Sequence, residues 1–144
     1  MRVANKLKIY YESEELKPHK KHYDDAGLDL KAKNDYIIYP SQTLLVQTGV
    51  YTVLDKGYYG RIVGRSSVSL RGLLCKEGTI DSSYRGELKV ILHNTTNRII
   101  KIKQYERIAQ LIIAKCELDY TVNYGVPKAD TERGINGFGS TGRL

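Results

Sequence analysis

Tyr36-Ile37-Ile38-Tyr39-Pro40-Ser41-Gln42-Thr43-Leu44-Leu45-Val46-Gln47-Thr48-Gly49-Val50-Tyr51-Thr52-Val53-Leu54-Asp55-Lys56-Gly57-Tyr58-Tyr59-Gly60-Arg61-Ile62-Val63 is a succession of short β-forming runs cut by proline and glycine. The pieces 36–40, 43–49, 50–54 and 58–63 each read as a strand, and Asp55-Lys56-Gly57 reads as the turn before the last of them. Short strands at near-regular spacing, with this punctuation, imply an all-β barrel or a double-sheet jelly roll.

Toward the C-terminus the rhythm breaks at Gly64-Arg65-Ser66-Ser67-Val68-Ser69-Leu70-Arg71-Gly72. Ser66 or Ser67 can cap one short helix, with Val68 and Leu70 facing inward and Gly72 ending it. Free N–H groups at a helix start, beside Arg65 and two hydroxyls, make a phosphate site; an ordinary capped helix reads equally well. Next comes Gly78-Thr79-Ile80-Asp81-Ser82-Ser83-Tyr84-Arg85-Gly86-Glu87-Leu88-Lys89-Val90, which predicts a hairpin whose polar tip carries Asp81 and Tyr84. The backbone edge of such a hairpin can read a planar base, Asp81 can orient a water, and Tyr84 can pack on a sugar or base. The same residues also suit a plain surface turn whose Asp and Ser satisfy local amides.

Beyond it, 99–103 alternates apolar and basic residues, and 107–114 is a buried-strand pattern interrupted by Gln110. A buried Gln needs hydrogen-bond partners, and a neighbouring loop can supply them. From Gly125 the chain is polar without an apolar period, which predicts a mobile arm. Gly137 to Gly142 spells GxGxxG, but the chain stops two residues later, so no helix follows and a Rossmann reading fails. The protein's one Phe, Phe138, stands in that arm with glycines, cations and hydroxyls, a composition able to close over a phosphorylated ligand.

Toward the N-terminus, Ala26-Gly27-Leu28-Asp29-Leu30-Lys31-Ala32 reads as a strand with Leu28 and Leu30 on one face and Asp29 on the other. Gly27 permits close approach of a neighbour. Residues 12–25, broken by Pro18, read as a loop, and residues 3–11 as a first strand. His19 and His22 lack a third ligand at metal spacing.

With 144 residues the chain is long enough for one domain with its own core. No apolar run spans a membrane, and the first residues lack the apolar centre of a secretion signal, so the expected location is cytoplasmic, or nuclear in a eukaryote. Cys75 and Cys116 form no metal-spaced pair and read as free buried thiols, and the sequon Asn94-Thr95-Thr96 carries no weight without secretion. A net charge of +7 favours an anionic partner, either nucleic acid or a nucleoside polyphosphate. The densest basic groups, Lys17/Lys20/Lys21 and Arg98/Lys101/Lys103, lack the interleaved aromatics of a single-strand binder and read as solvated faces.

Five segments now stand in order: AGLDLKA, GRSS, GTIDSSYRG, RIAQL and RGINGFGSTG. Together, from residue 26 to residue 142, they resemble the trimeric deoxyuridine triphosphatase (dUTPase) family. The resemblance implies a jelly-roll-like β-barrel over 1–124 and a flexible arm over 125–144 that closes on the active site. It implies hydrolysis of dUTP to dUMP and pyrophosphate with Mg²⁺ on the triphosphate, an activity that limits uracil incorporation into DNA. By the family pattern Asp81 activates the water that attacks the α-phosphorus. Tyr84 lies under the deoxyribose and excludes a 2′-hydroxyl, while the backbone around Gly78, Thr79, Ile80 and Asp81 reads uracil and rejects thymine and cytosine. Arg65, Ser66 and Ser67 bind phosphate oxygens, and Lys89 adds charge nearby. Asp29 and Gln110 hold the metal's water shell rather than the metal itself. Arg133 reaches the γ-phosphate, Phe138 covers uracil, and Gly139, Ser140 and Thr141 wrap the phosphates. A homotrimer with shared sites is implied, with no membrane or nucleic-acid partner.

Three positions depart from the family pattern. Ser83 replaces the usual Asp or Gly, Cys75-Lys76-Glu77 lacks an Asn near uracil, and Asn136 replaces the first glycine of the arm motif. Three other readings stand beside the triphosphatase: a dCTP deaminase using Glu87, a non-enzymatic regulatory trimer, and a nucleic-acid binder argued by charge alone.

Overall fold

The computed structural model describes residues 7–139 and 142. Eleven strands and one α-helix follow in order among them: β1 (Lys8–Tyr11), β2 (Leu28–Lys31), β3 (Tyr36–Ile38), β4 (Thr43–Gln47), β5 (Val50–Val53), β6 (Tyr58–Val63), α1 (Ser66–Leu70), β7 (Leu73–Lys76), β8 (Gly78–Ile80), β9 (Lys89–Asn94), β10 (Ile100–Ile102) and β11 (Arg107–Lys115). A single 3₁₀ turn, Glu14–Leu16, interrupts the loop predicted over 12–25 and buries Leu16. The all-β, jelly-roll-like reading holds: a four-stranded sheet ordered β2-β11-β6-β8 and a three-stranded sheet ordered β4-β9-β7 are accompanied by the pairs β1-β5 and β3-β10.

Alternation along the strands sets which side faces inward. In β9 Val90, Leu92 and Asn94 are buried while Lys89 is exposed and Ile91 and His93 are half-covered. Leu30, Ile38, Ile62, Leu92, Ile108 and Leu111 meet in one core, each essentially inaccessible. Every such side chain contributes roughly 1.5–3 kcal/mol relative to exposure. Asn94 is buried too, its amide donating to the carbonyls of Ile38 at 2.9 Å and Arg98 at 2.7 Å, which leaves nothing for a glycan. Cys75 and Cys116 are free but only half-buried, and burial pushes the Cys75 thiol's pKa up.

Three local expectations change. Helix α1 begins at Ser66 with Arg65 as N-cap and no side-chain cap, so neither serine caps it. Val68 is buried, but Leu70 is 88% exposed; two residues apart on a helix are about 200° apart, so one face cannot hold both. Gly72 does end the helix, at φ +91, its amide bonded to the Ser69 carbonyl. The expected hairpin at 78–90 is not one: β8 pairs with β6, whereas β9 pairs with β4 and β7. The segment between them crosses from one sheet to the other, and β8 is left as a sheet edge.

Among the described residues after β11, the last backbone tie to the barrel is the Cys116 amide on the Gly57 carbonyl at 2.8 Å. Residues 117–136 are all exposed. No helix among the described residues is long and apolar enough to cross a membrane.

Candidate active site

Sheet register gathers the first cluster. Gln110 of β11 lies opposite Asp29 on β2 and opposite Val63 on β6, immediately before Gly64 and Arg65. A bulge between Arg107 and Ala109 produces this alignment, with Ile108 turned into the core. Three segments far apart in sequence therefore meet at one row. Asp29 faces two guanidinium groups, Arg65 Nε at 3.2 Å and Arg107 Nη1 at 3.8 Å, and Arg65 also donates to the Arg107 carbonyl at 3.3 Å. Gln110 Nε2 donates to the Gly64 carbonyl at 3.1 Å, so a loop does satisfy it. Its Oε1 would stand 2.6 Å from a β-carbon at residue 27, so a side chain there would push Gln110 aside.

These residues line a polar cleft of ≈ 420 Å³ that also takes in Lys20, Lys21 and Arg107. With four cations against Asp25 and Asp29, it is a place for a polyanion. Lys20 and Lys21, expected from sequence on a solvated face, are part of this wall. Nothing in their local pattern signals it, because the isolated bridge between His19 and Asp29 delivers them. Arg107 is visible in the sequence only as the first letter of RIAQL. Ser66 and Ser67 sit beside the cleft, as the exposed first residues of α1, without lining it.

The second cluster lies where the chain crosses between sheets. Thr79, Ile80, Asp81, Tyr84 and Lys89 line a cleft of ≈ 300 Å³ together with Leu45 and Glu87. Gly78 stays in the ladder opposite Ile62. The Tyr84 amide closes a turn on the Asp81 carbonyl at 3.1 Å. No described residue engages the Asp81 carboxylate, which leaves it free to hold a water. The phenol of Tyr84 donates to the Glu87 carbonyl at 2.9 Å. Glu77, in the stretch that lacks the family's Asn, forms an ion pair with Arg61, and Ser83 is exposed at the tip.

The two clusters do not meet within one chain. Ile80 is opposite Gly60, and Gly60 is opposite Ile113, so Ile80 lies two strands and three residues from Gln110. At strand spacings of 4.7–4.9 Å and a rise near 3.4 Å per residue, that is roughly 14 Å, and Asp81 lies further on. The described residues of the arm join neither cluster. Arg133 Nε donates to the Asn136 carbonyl at 2.9 Å, and Phe138 is fully exposed in the left-handed region at φ 46. Gly139 is exposed, while Ser140 and Thr141 lie outside the described residues.

The dUTPase family model matches residues 14–142. The deoxyuridine 5'-triphosphate nucleotidohydrolase of Nautilia profundicola is 41% identical over 142 residues, covering 96% of this chain and 99% of that one. The Staphylococcus bacteriophage 80alpha dUTPase with dUPNHPP superposes with a TM-score of 0.86 at 26% identity, over 96% and 99% of the two chains. A point mutant of the dUTPase from phage phi11 of S. aureus, described with a structural Mg(II) ion, shares the fold at TM-score 0.76 and 22% identity over 83% and 96%. On the five segments, the double-sheet fold and these matches along nearly its whole length, this chain belongs to the dUTPase family.

Proposed function

We propose that this chain hydrolyses dUTP to dUMP and pyrophosphate at sites shared between subunits of a homotrimer. The observation that carries the reading is the separation of an Asp81–Tyr84 cleft from a cationic Asp29–Arg65–Gln110 cleft on the same protomer. Each holds half of what the reaction needs. Asp81 takes a proton from a water whose oxygen bonds to the α-phosphorus, and the bond to the bridging oxygen breaks to release pyrophosphate. Tyr84 stacks under the deoxyribose, and the free edge of β8 around Thr79, Ile80 and Asp81 reads uracil. Lys89 on the same cleft adds positive charge.

Another protomer brings Arg65, with Ser66 and Ser67 beside it, to the phosphate oxygens. Positioning and charge neutralisation are the main demands of phosphoryl transfer. Among the described residues no group of three or more His, Cys, Asp or Glu is placed to hold a metal. The donor set fits Mg²⁺ carried on the substrate, because this hard ion keeps its waters and binds chiefly to phosphate. Asp29, already faced by two arginines, and Gln110 would hold those waters, and the ion would neutralise charge on the leaving pyrophosphate.

Residues 125–144 form the arm of a third protomer, bringing Arg133, Phe138, Gly139, Ser140 and Thr141 over the bound nucleotide. Two features support assembly. Leu118, Tyr120, Val122, Tyr124 and Val126 alternate with other residues and are all exposed, the pattern of a half-buried strand without its sheet. Leu45 and Leu74 are likewise exposed on the three-stranded sheet, about 50% each.

A dCTP deaminase would need Glu87 as a free catalytic carboxylate, yet both its oxygens accept hydrogen bonds from the β4–β5 corner. The test compares pyrophosphate release from dUTP, dTTP, dCTP and UTP, alongside ammonia release from dCTP. Release from dUTP alone is expected; ammonia from dCTP would contradict the reading.

A further inference from the structure

Glu87 is engaged at both ends. Its carboxylate accepts from the Gly49 amide at 2.9 Å and from Gln47 Nε2 at 3.3 Å. Its carbonyl accepts the Tyr84 hydroxyl at 2.9 Å. Gln47 is itself fixed: Asn34 donates to its side-chain oxygen at 3.2 Å, and its backbone amide donates to the Tyr36 hydroxyl at 3.0 Å. Its nitrogen is therefore the end left to point at Glu87. The next residue is locked to the same corner, with the Leu88 amide on the Val50 carbonyl at 2.8 Å and the Thr48 hydroxyl on the Leu88 carbonyl. Tyr84 is 43% exposed, so packing alone does not hold it. What fixes its ring is the carbonyl behind it and the bare backbone of Gly86 beneath it.

We propose that Glu87 is the positioning residue for sugar selectivity, tying Tyr84 to the β4–β5 corner so that the ring stands where a ribose 2′-hydroxyl would collide. The inference rests on the proposed placement of the deoxyribose on Tyr84. Steric rejection of one oxygen works only if the ring is held to about half an ångström. Without the carboxylate, the Gly49 amide and Gln47 lose their acceptor, the start of β9 loosens, and the acceptor for Tyr84 moves with it. The stack on deoxyribose survives such slack, but the collision with ribose does not. Glu87 thus acts on UTP more than on dUTP.

The experiment reads the ratio of kcat/KM for dUTP to kcat/KM for UTP in wild type, Tyr84→Ala, Tyr84→Phe, Glu87→Ala and Glu87→Gln. Glu87→Ala is expected to lower the ratio about tenfold, chiefly by raising the UTP value. Glu87→Gln should recover most of it, because an amide oxygen can still accept from Gly49. Tyr84→Phe, at an exposed side chain and safe for folding, should lower the ratio about fivefold and tests the tether to the Glu87 carbonyl if Glu87→Ala does not fold. A ratio that falls in Tyr84→Ala but stays within about twofold of wild type in Glu87→Ala or Tyr84→Phe overturns the role of Glu87. A ratio unchanged in Tyr84→Ala as well removes the sugar placement beneath it. Loss of thermal stability with equal loss on both substrates would mark Glu87 as merely structural, and also overturns the proposal.

Discussion

Tyr84 lies across Gly86: a β-carbon at residue 86 would collide with the hydroxyl end of the phenol, overlapping its oxygen and standing 2.5 Å from Cζ and 2.9 Å from Cε1. Gly86 is not among the glycines with positive φ, so its backbone accepts alanine without strain. Glycine is needed there only for the space.

Gly86→Ala therefore isolates the ring. The substitution should leave the core untouched and displace Tyr84, lowering kcat/KM for dUTP about tenfold or more. Steady-state pyrophosphate release, with a thermal melt as control, checks it. A melt unchanged and activity unchanged would mean the ring position is irrelevant.

Two ordinary residues of the barrel occupy left-handed backbone in tight turns: Ser41 at φ 62 and Tyr105 at φ 69. The Ser41 amide is held by the Asn94 carbonyl at 3.0 Å and that of Tyr105 by Ala32 at 2.7 Å, so the turns cannot relax away. Side chains there cost about 1–2 kcal/mol, part of which glycine returns in unfolded-state entropy. Ser41→Gly should stabilise the fold by about 0.5–1 kcal/mol, a rise of roughly 2–4 °C in Tm. A melt that falls instead would show that the Ser41 hydroxyl matters more than the strain.

Glu12, Lys33 and Tyr51 form one network, with Lys33 at 2.8 Å and the Tyr51 hydroxyl at 2.8 Å from the Glu12 carboxylate. The hydrogen bond from Lys33 holds the Glu12 pKa below its ordinary value, and the hydrogen bond to Glu12 raises that of Lys33. A depressed carboxylate pKa stabilises above the unfolded value and is lost as pH falls through the folded one. A raised lysine pKa stabilises below its unfolded value and is lost as pH rises through the folded one. Glu12→Gln should thus lower the urea midpoint at neutral pH, with the gap to wild type closing in acid. A gap constant with pH would show that charge plays no part.

How much is legible in the sequence follows physical lines. Strands 36–63 are readable because β-formers and turn residues mark local backbone directly. The meeting of Asp29, Arg65 and Gln110 is not readable from residues alone, since it depends on the register of β11 against two distant strands and on the bulge at Ile108. The five ordered segments supply it by resemblance. The hairpin expected at 78–90 fails because an apolar run does not say which sheet it joins. Leu70 is misplaced by counting apolar residues without helical angle. The period of two from Leu118 to Val126 is present in the sequence and is a local strand signal, although these residues pair with no strand of this chain among the described residues. Glu87 cannot be found locally, because its partners Gln47 and Gly49 lie about forty residues earlier.

On the proposed trimer, one protomer supplies Asp81 and another supplies Arg65 to the same nucleotide. Asp81→Asn and Arg65→Ala homotrimers should each be nearly inactive on dUTP, the first for want of a base and the second of a phosphate clamp. After the two are mixed and subunit exchange is verified, pyrophosphate release should reappear. Random assortment at equal amounts leaves about a quarter of the sites with both residues intact, so about that share of wild-type activity is expected. Activity no greater than the sum of the two parents would contradict shared sites and place the whole reaction within a single chain.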